Sequence, residues 1–225
     1  MPTKNTSRKA ARKQPRKATR RPGAGSDAIA MLKADHRKVE GLFARFEKAR
    51  SDSVKEQLVE QICNELIVHT LLEEEIFYPA CRNEEVEEDV MDEAQVEHDG
   101  AKMLIRDLMK GEPGSEMYDA KVTVLSEYVK HHVKEEEKPG SGVFAQAKKL
   151  GLNTEAIGAQ LMARKKELMA EAEAGKLPAP QPKSFNLDGS RGGSGGRSRP
   201  EEYASQAEGG NAGESGTGLR GLMHS

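Results

Sequence analysis

His69-Thr70-Leu71-Leu72-Glu73 decides how this chain is read. A histidine and a glutamate four residues apart project from one face of a helix, and these five residues fall late in a long helical pattern. A related stretch, His131-His132-Val133-Lys134-Glu135-Glu136-Glu137, recurs downstream, and single histidines lie upstream of each copy at His36 and His98. The chain therefore carries two units of the form His, then His-x-x-x-Glu. Helices that hold a metal ion in a bundle core carry such units.

Around His36, the apolar positions Ile29, Leu32, Val39, Phe43 and Phe46 follow a three-four alternation with one gap, and the histidine fills it. A first helix is expected from just after Ser26, with Asp27 in its first turn, to about Arg50. Ser53-x-x-Glu56 reads as a capping box opening a second helix to about Cys81. Its seam is Leu58, Ile62, Leu66, His69, Glu73, Ile76 and Ala80. Taken alone, a histidine on such a seam is most simply a hydrogen-bonded core residue. A glutamate there is costly unless it is paired or bound to metal.

A third helix shows Met91, Ala94, His98, Ala101, Ile105 and Leu108 at the same spacing and ends at Gly111, Pro113 and Gly114. Ser115 is a plausible cap for a fourth, from about Glu116 to Lys138, stopped by Pro139-Gly140. Two registers compete for its inward face, His131 with Glu135 or His132 with Glu136. Residues 7, 6, 3 and 2 before His69 are Ile62, Cys63, Leu66 and Ile67; those before His131 are Val124, Leu125, Tyr128 and Val129, a better match than the Leu125, Ser126, Val129 and Lys130 that precede His132. This comparison selects His131 and Glu135. Val143 to Leu150 forms a short helix, and Thr154 caps a final one to about Ala174, packed across the bundle through Ile157, Leu161 and Leu168.

Spacing tests whether the histidines meet. At a rise of about 1.5 Å per residue, His36 lies about 21 Å before the end of its helix and His69 about 22 Å after the start of the next. Across the second connection the two distances are each about 18 Å, and across the third about 18 and 22 Å. Short loops impose antiparallel neighbours, so four helices bring their histidines to one layer of the core. Four coincident histidines with two inward glutamates point to metal. Imidazole and carboxylate donors without inward cysteine suit iron rather than a structural zinc or iron-sulfur site.

The pattern resembles the hemerythrin-like family, whose HHE cation-binding domain is an up-and-down four-helix bundle holding a non-haem di-iron centre. The likeness covers roughly Asp27 to Lys138. It implies that His36, His69, His98 and His131 are nitrogen ligands, and that Glu73 and Glu135 are carboxylates bridging two iron ions. The family's oxygen carriers use a fifth histidine one turn beyond the one on the third helix; here that position is Lys102, which cannot be a ligand while charged. One ligand fewer leaves an open position unless His132, Glu136 or another side chain supplies it. Tyr128 reads either as a hydrogen-bond donor behind the ligands or as an amphipathic core residue.

Composition sets the frame. Residues 1 to 25 hold nine Lys or Arg and no Asp or Glu, leaving 26 basic against 37 acidic residues in the remainder. The expected fold is all-α: an up-and-down antiparallel four-helix bundle with an additional C-terminal helix over residues 26–174. It is flanked by a disordered basic tail at 1–25 and a disordered Gly/Pro/Ser-rich, low-complexity tail at 175–225. The basic tail suits non-specific contact with nucleic acid, docking on the acidic body, or a solubilising role. Cys63 and Cys81 lie 18 residues apart on one helix, too far to bridge, and read as reduced thiols of a cytoplasmic protein. No membrane span, secretory signal, nucleophile constellation or phosphate-cradling glycine loop is recognised. The functional expectation is a di-iron protein that binds or senses oxygen, nitric oxide, peroxide or iron in a stress response. The competing one is an enzyme that consumes peroxide or oxidises ferrous iron, tethered to DNA by the tail.

Overall fold

The computed structural model describes residues 27–185. The expectations for the basic tail, and for the low-complexity tail beyond residue 185, fall outside these residues. Within them the chain is helical, with no strand. Helix α1 spans Ala28–Phe46, α2 Asp52–Leu72, α3 Tyr78–Asn83, α4 Glu88–Leu108, α5 Tyr118–Glu136, α6 Val143–Leu150 and α7 Thr154–Glu173.

Four of the expected helix starts move by one or two residues. Asp27 is the N-cap of α1 rather than a first-turn residue, its carboxylate accepting from the Ala30 N–H at 2.9 Å. Ser51, not Ser53, precedes α2; the two serine hydroxyls bond each other at 2.8 Å and neither caps by side chain. Met117 at φ 68° leads into α5, leaving Ser115 outside. Asn153 rather than Thr154 caps α7, accepting from Ala156 at 3.0 Å, and the freed Thr154 hydroxyl donates to Asp27, pinning the start of α7 to the start of α1.

A larger difference lies within the second expected helix. Between α2 and α3, Glu73–Phe77 form a π-helical turn, with the Tyr78 N–H bonded to the Glu73 carbonyl five residues back. Pro79 supplies the reason: its ring lacks an N–H and would press on the carbonyl four residues earlier, and the wider turn relieves that contact. The extra residue moves the buried seam on by one position. Phe77 and Cys81 are buried where Ile76 and Ala80 were expected, and Tyr78 faces inward as well.

Two apolar clusters show how the helices run. One joins the C-terminal half of α1, α2 as far as Ile67, the C-terminal half of α4 and α5 as far as Val133, through Phe43, Ile62, Ile105 and Leu125 among others. The other joins the opposite ends of α1, α2 and α4 with α3, α6 and α7, through Leu32, Phe77, Met91, Phe144 and Leu161. Adjacent helices are therefore antiparallel, and the histidines fall near where the two clusters meet. Helix α7 packs across α1 and α2. Its Leu161 and Leu168 are fully buried, each worth about 1.5–3 kcal/mol.

Two further features close the second cluster and the outer face of α4. Gly142, after α5, passes so close to the Glu135 and Glu136 carbonyls that a Cβ there would collide with both oxygens. That tight return lays Phe144 against His36, ring centroids 5.9 Å apart and nearly parallel. Beyond α7 the chain runs back to α4, where Asp99 accepts from the Lys183 and Ser184 N–H groups at 2.7 and 2.6 Å.

Candidate metal centre

Four imidazoles turn their Nε2 atoms toward one point between the apolar clusters. His36 Nε2 is 3.1 Å from His69 Nε2, and His98 Nε2 is 3.2 Å from His132 Nε2. The Glu73 Oε2 atom lies between the two pairs, 3.1 Å from His69 Nε2 and 3.2 Å from His98 Nε2. Glu136 Oε2 spans them on the other side, 3.4 Å from His36 Nε2 and 3.8 Å from His132 Nε2. His36, His69, Glu73, His132 and Glu136 each offer a donor atom within 4.8 Å of the others. His98 joins the layer through its contacts with Glu73 and His132.

The last helix corrects the expected register. His131 and Glu135 point outward: His131 is 59% exposed by side chain and pairs with Glu97 at 3.1 Å, while Glu135 pairs with Lys138 at 2.8 Å. His132 and Glu136 are buried in their place. The physical reason is the seam of α5, where Leu125, Val129, His132 and Glu136 step by four, three and four, as Ile62, Leu66, His69 and Glu73 do on α2. The offsets that favoured His131 drew on Val124 and Tyr128, which are 39% and 48% exposed.

The outer nitrogens of the rings have carboxylates of their own. His36 Nδ1 donates to Glu137 at 2.8 Å, His98 Nδ1 to Glu74 at 3.2 Å and His132 Nδ1 to Glu97 at 2.9 Å. His69 Nδ1 has no hydrogen-bond partner; Asp35 Oδ2 lies 4.0 Å away. A proton kept on Nδ1 by an acceptor leaves the Nε2 lone pair facing the centre, the tautomer a metal ligand requires. These four carboxylates went unrecognised in the sequence, although there was a signal: two stand immediately before His36 and His98, and two immediately after Glu73 and Glu136.

Burial and like charge leave the ligand-type residues under electrostatic tension. Burial, and then His69, hold His36 down at about 4. Burial also works against charge on His69, but Glu73 beside it wins and raises it to about 10. His98 is raised to about 8, burial being overcome by hydrogen bonds to Glu73 and Glu74. Glu136 is pushed up to about 8 by burial and by the facing Glu73, and Glu73 is held well below the carboxylate range because His69 outweighs its burial. Glu73 Oε1 and His69 Nδ1 are buried without a hydrogen-bond partner, a costly state for polar atoms in a core, while Glu73 Oε2 and Glu136 Oε2 face ring nitrogens of the same layer.

That donor set fits a metal. Neighbouring donors on an octahedral ion with bonds of about 2.1 Å stand about 3.0 Å apart, close to the spacings of the two imidazole pairs. Tyr78 completes the wall: fully buried, its hydroxyl donates to Glu136 Oε1 at 3.4 Å and lies 3.3 Å from His98 Nε2. Burial, then Glu136 and Glu73, push this phenol well above its ordinary pKa, so it carries its proton. Tyr128, the aromatic singled out in the sequence, stays half-exposed. Lys102 does not face the centre either. Buried, it forms ion pairs with Glu74 and, at 2.9 Å, with Asp99. Cys63 and Cys81 are free, buried thiols outside the cluster.

A layer of histidines and spanning carboxylates in an antiparallel helical bundle defines a cation-binding bundle protein. The profile of the hemerythrin HHE cation binding domain matches residues 27–139, and the chain belongs to that family. Among solved structures, it is similar to a hemerythrin HHE cation binding domain-containing protein from Mycobacterium kansasii, at 19% identity with a TM-score of 0.55, covering 67% of this chain and 94% of that one. No curated protein matches it. No described helix is long and apolar enough to cross a membrane.

Proposed function

We propose that this chain is a non-haem di-iron protein that binds or senses a small ligand: oxygen, nitric oxide or peroxide. His36 and His69 would hold one ion, His98 and His132 the other, with Glu73 and Glu136 spanning both. Iron bound by these residues would supply electron exchange with such ligands. The observation that carries the reading is a cavity of about 30 Å³ beside the imidazoles. All four metal-facing histidines border it on one side, and Val39, Leu66, Ala101, Val129 and Val133 on the other. It has room for one diatomic molecule or a water.

The protein's own residues do the remaining work. The two apolar clusters exclude bulk water, Phe144 covers His36, and the Tyr78 hydroxyl keeps a proton directed at Glu136. The test is the iron content and optical spectrum of protein from iron-supplemented cells, before and after oxygen, nitric oxide and peroxide. His69→Ala and Glu73→Ala are expected to lose stoichiometric iron. Two irons per chain retained in both variants would remove the assignment.

Lys102 favours a second reading, in which the same centre consumes peroxide or oxidises ferrous iron. Its side chain is committed to Glu74 and Asp99, so it adds no donor, and a bound ion would keep a position for a reactant. Sustained peroxide turnover would support this reading, and a reversible oxygen-bound spectrum the first.

A further inference from the structure

The four carboxylates behind the imidazoles are not equally neutralised. Glu137 is paired with Lys33 and Arg37, Glu74 with Lys102 and Lys183, and Asp35 with Lys165. Glu97 has no Lys or Arg partner among the described residues. Instead its Oε1 faces His131 Nε2 at 3.1 Å while its Oε2 holds His132 Nδ1 at 2.9 Å. One turn earlier on α4, Glu93 also lacks a described cationic partner. The donor atoms of Glu93, Glu97 and His131 lie within 4.8 Å of one another. The Glu97 Oε1 atom is buried and has no hydrogen-bond partner besides that facing imidazole.

This corner is connected to the inner centre. A cleft of about 170 Å³ between α4 and α5 is lined by the acids Glu87, Glu93, Glu97 and Glu135 with one cation, Lys138, and by the buried His132 and Glu136. Glu136 is 2% exposed and its Oε2 faces the His36 and His132 rings, so the cleft leads to a carboxylate of the inner layer. Of the other lining acids, Glu135 is occupied by Lys138. A negative, partly enclosed channel concentrates cations. Two carboxylates and an imidazole are the donors that suit first-row divalent ions.

We propose that Glu93, Glu97 and His131 form an outer divalent-cation site, two of whose carboxylates also line the α4–α5 cleft, where ferrous iron is held before it passes to the inner centre. Glu97 belongs to both places, one oxygen on the outer histidine and the other behind an inner one. The proposal rests on the inner layer being the metal centre, and it assigns His131 a task outside that layer.

The experiment is anaerobic loading of the full-length apo protein with ferrous iron, followed in time by chelator competition. Wild type is compared with Glu93→Gln/His131→Gln, which leaves every inner donor and Glu97 in place. Loading of the variant is expected to be about tenfold slower or more, within the range electrostatic focusing provides, with the same final iron content and spectrum. A cobalt(II) titration is expected to show a weak additional ion in wild type only. Equal loading rates with equal cobalt uptake would overturn the outer site. Loss of the inner ions in the double variant would overturn its separateness. His69→Ala separates the two readings: if that variant kept its inner iron, the centre itself would be misassigned, whatever the loading rates.

Discussion

At the scale of single residues, the centre turns on which of two adjacent histidines faces inward. His132→Ala and Glu136→Ala are expected to lose iron, whereas His131→Ala and Glu135→Ala keep full inner occupancy, measured as metal per folded chain. His36, His69, Glu73 and His98 were legible in the sequence because each sits on a seam with a clear period. His131 was chosen over its neighbour because residues flanking the seam were weighted like residues on it. Ser126 is buried though polar, and Tyr128 is half-exposed though aromatic, so residue type misreported the face. The outer carboxylates were hidden for a different reason. All four face a ring on another helix from their own, three of them through a hydrogen bond, so only the assembled bundle shows the partner.

At the scale of elements, boundaries moved by a residue or two because several polar residues compete to cap each helix, and tertiary contacts decide among them. Thr154, for example, gives its hydroxyl to Asp27. The π turn was the consequential miss. A strict helical period through Pro79 placed Ile76 and Ala80 inward, and only the wider turn brings Tyr78 to the metal layer. The turn after α5 makes the prediction for this scale. Gly142→Ala would force the chain away from the Glu135 and Glu136 carbonyls. A cost of about 1–3 kcal/mol is expected from such overpacking, read as a lower denaturation midpoint. Phe144 should leave His36, read as a shifted His36 ring resonance in the apo protein.

For the whole molecule, the expected all-helical architecture is present across the described residues, and the hemerythrin HHE relationship accounts for it. The whole-molecule prediction concerns protons. Glu136 is raised from an ordinary 4.5 to about 8, so its contribution to apo stability is full below 4.5 and lost as pH rises through 8. His98 and His69 start from 6.5 and are raised to about 8 and about 10, so theirs is full below 6.5 and lost as pH rises through those values. Apo protein should therefore weaken between pH 6.5 and 10. Metal displaces the same protons, so loading at pH 7 should release them, and affinity should climb with pH over that window. Calorimetric loading in buffers of different ionisation enthalpy counts the protons. No release at pH 7 would contradict the electrostatic picture.

The arrangement of the outer carboxylates has one more consequence. In the α1–α2 hairpin an acid precedes the first histidine and another follows the glutamate, as Asp35-His36, His69 and Glu73-Glu74; the α4–α5 hairpin repeats the order as Glu97-His98, His132 and Glu136-Glu137. In each, the acid before the first histidine faces the second histidine of its own hairpin, while the acid after the glutamate reaches the first histidine of the other. The bundle is thus built as a covalently fused pair of near-equivalent halves exchanging arms. Each half contributes two imidazoles and one spanning carboxylate but depends on the other to orient its leading ring. Damage to either half is therefore felt by imidazoles of both, and Lys102, present on one side alone, makes the surroundings of two otherwise matched imidazole pairs unequal.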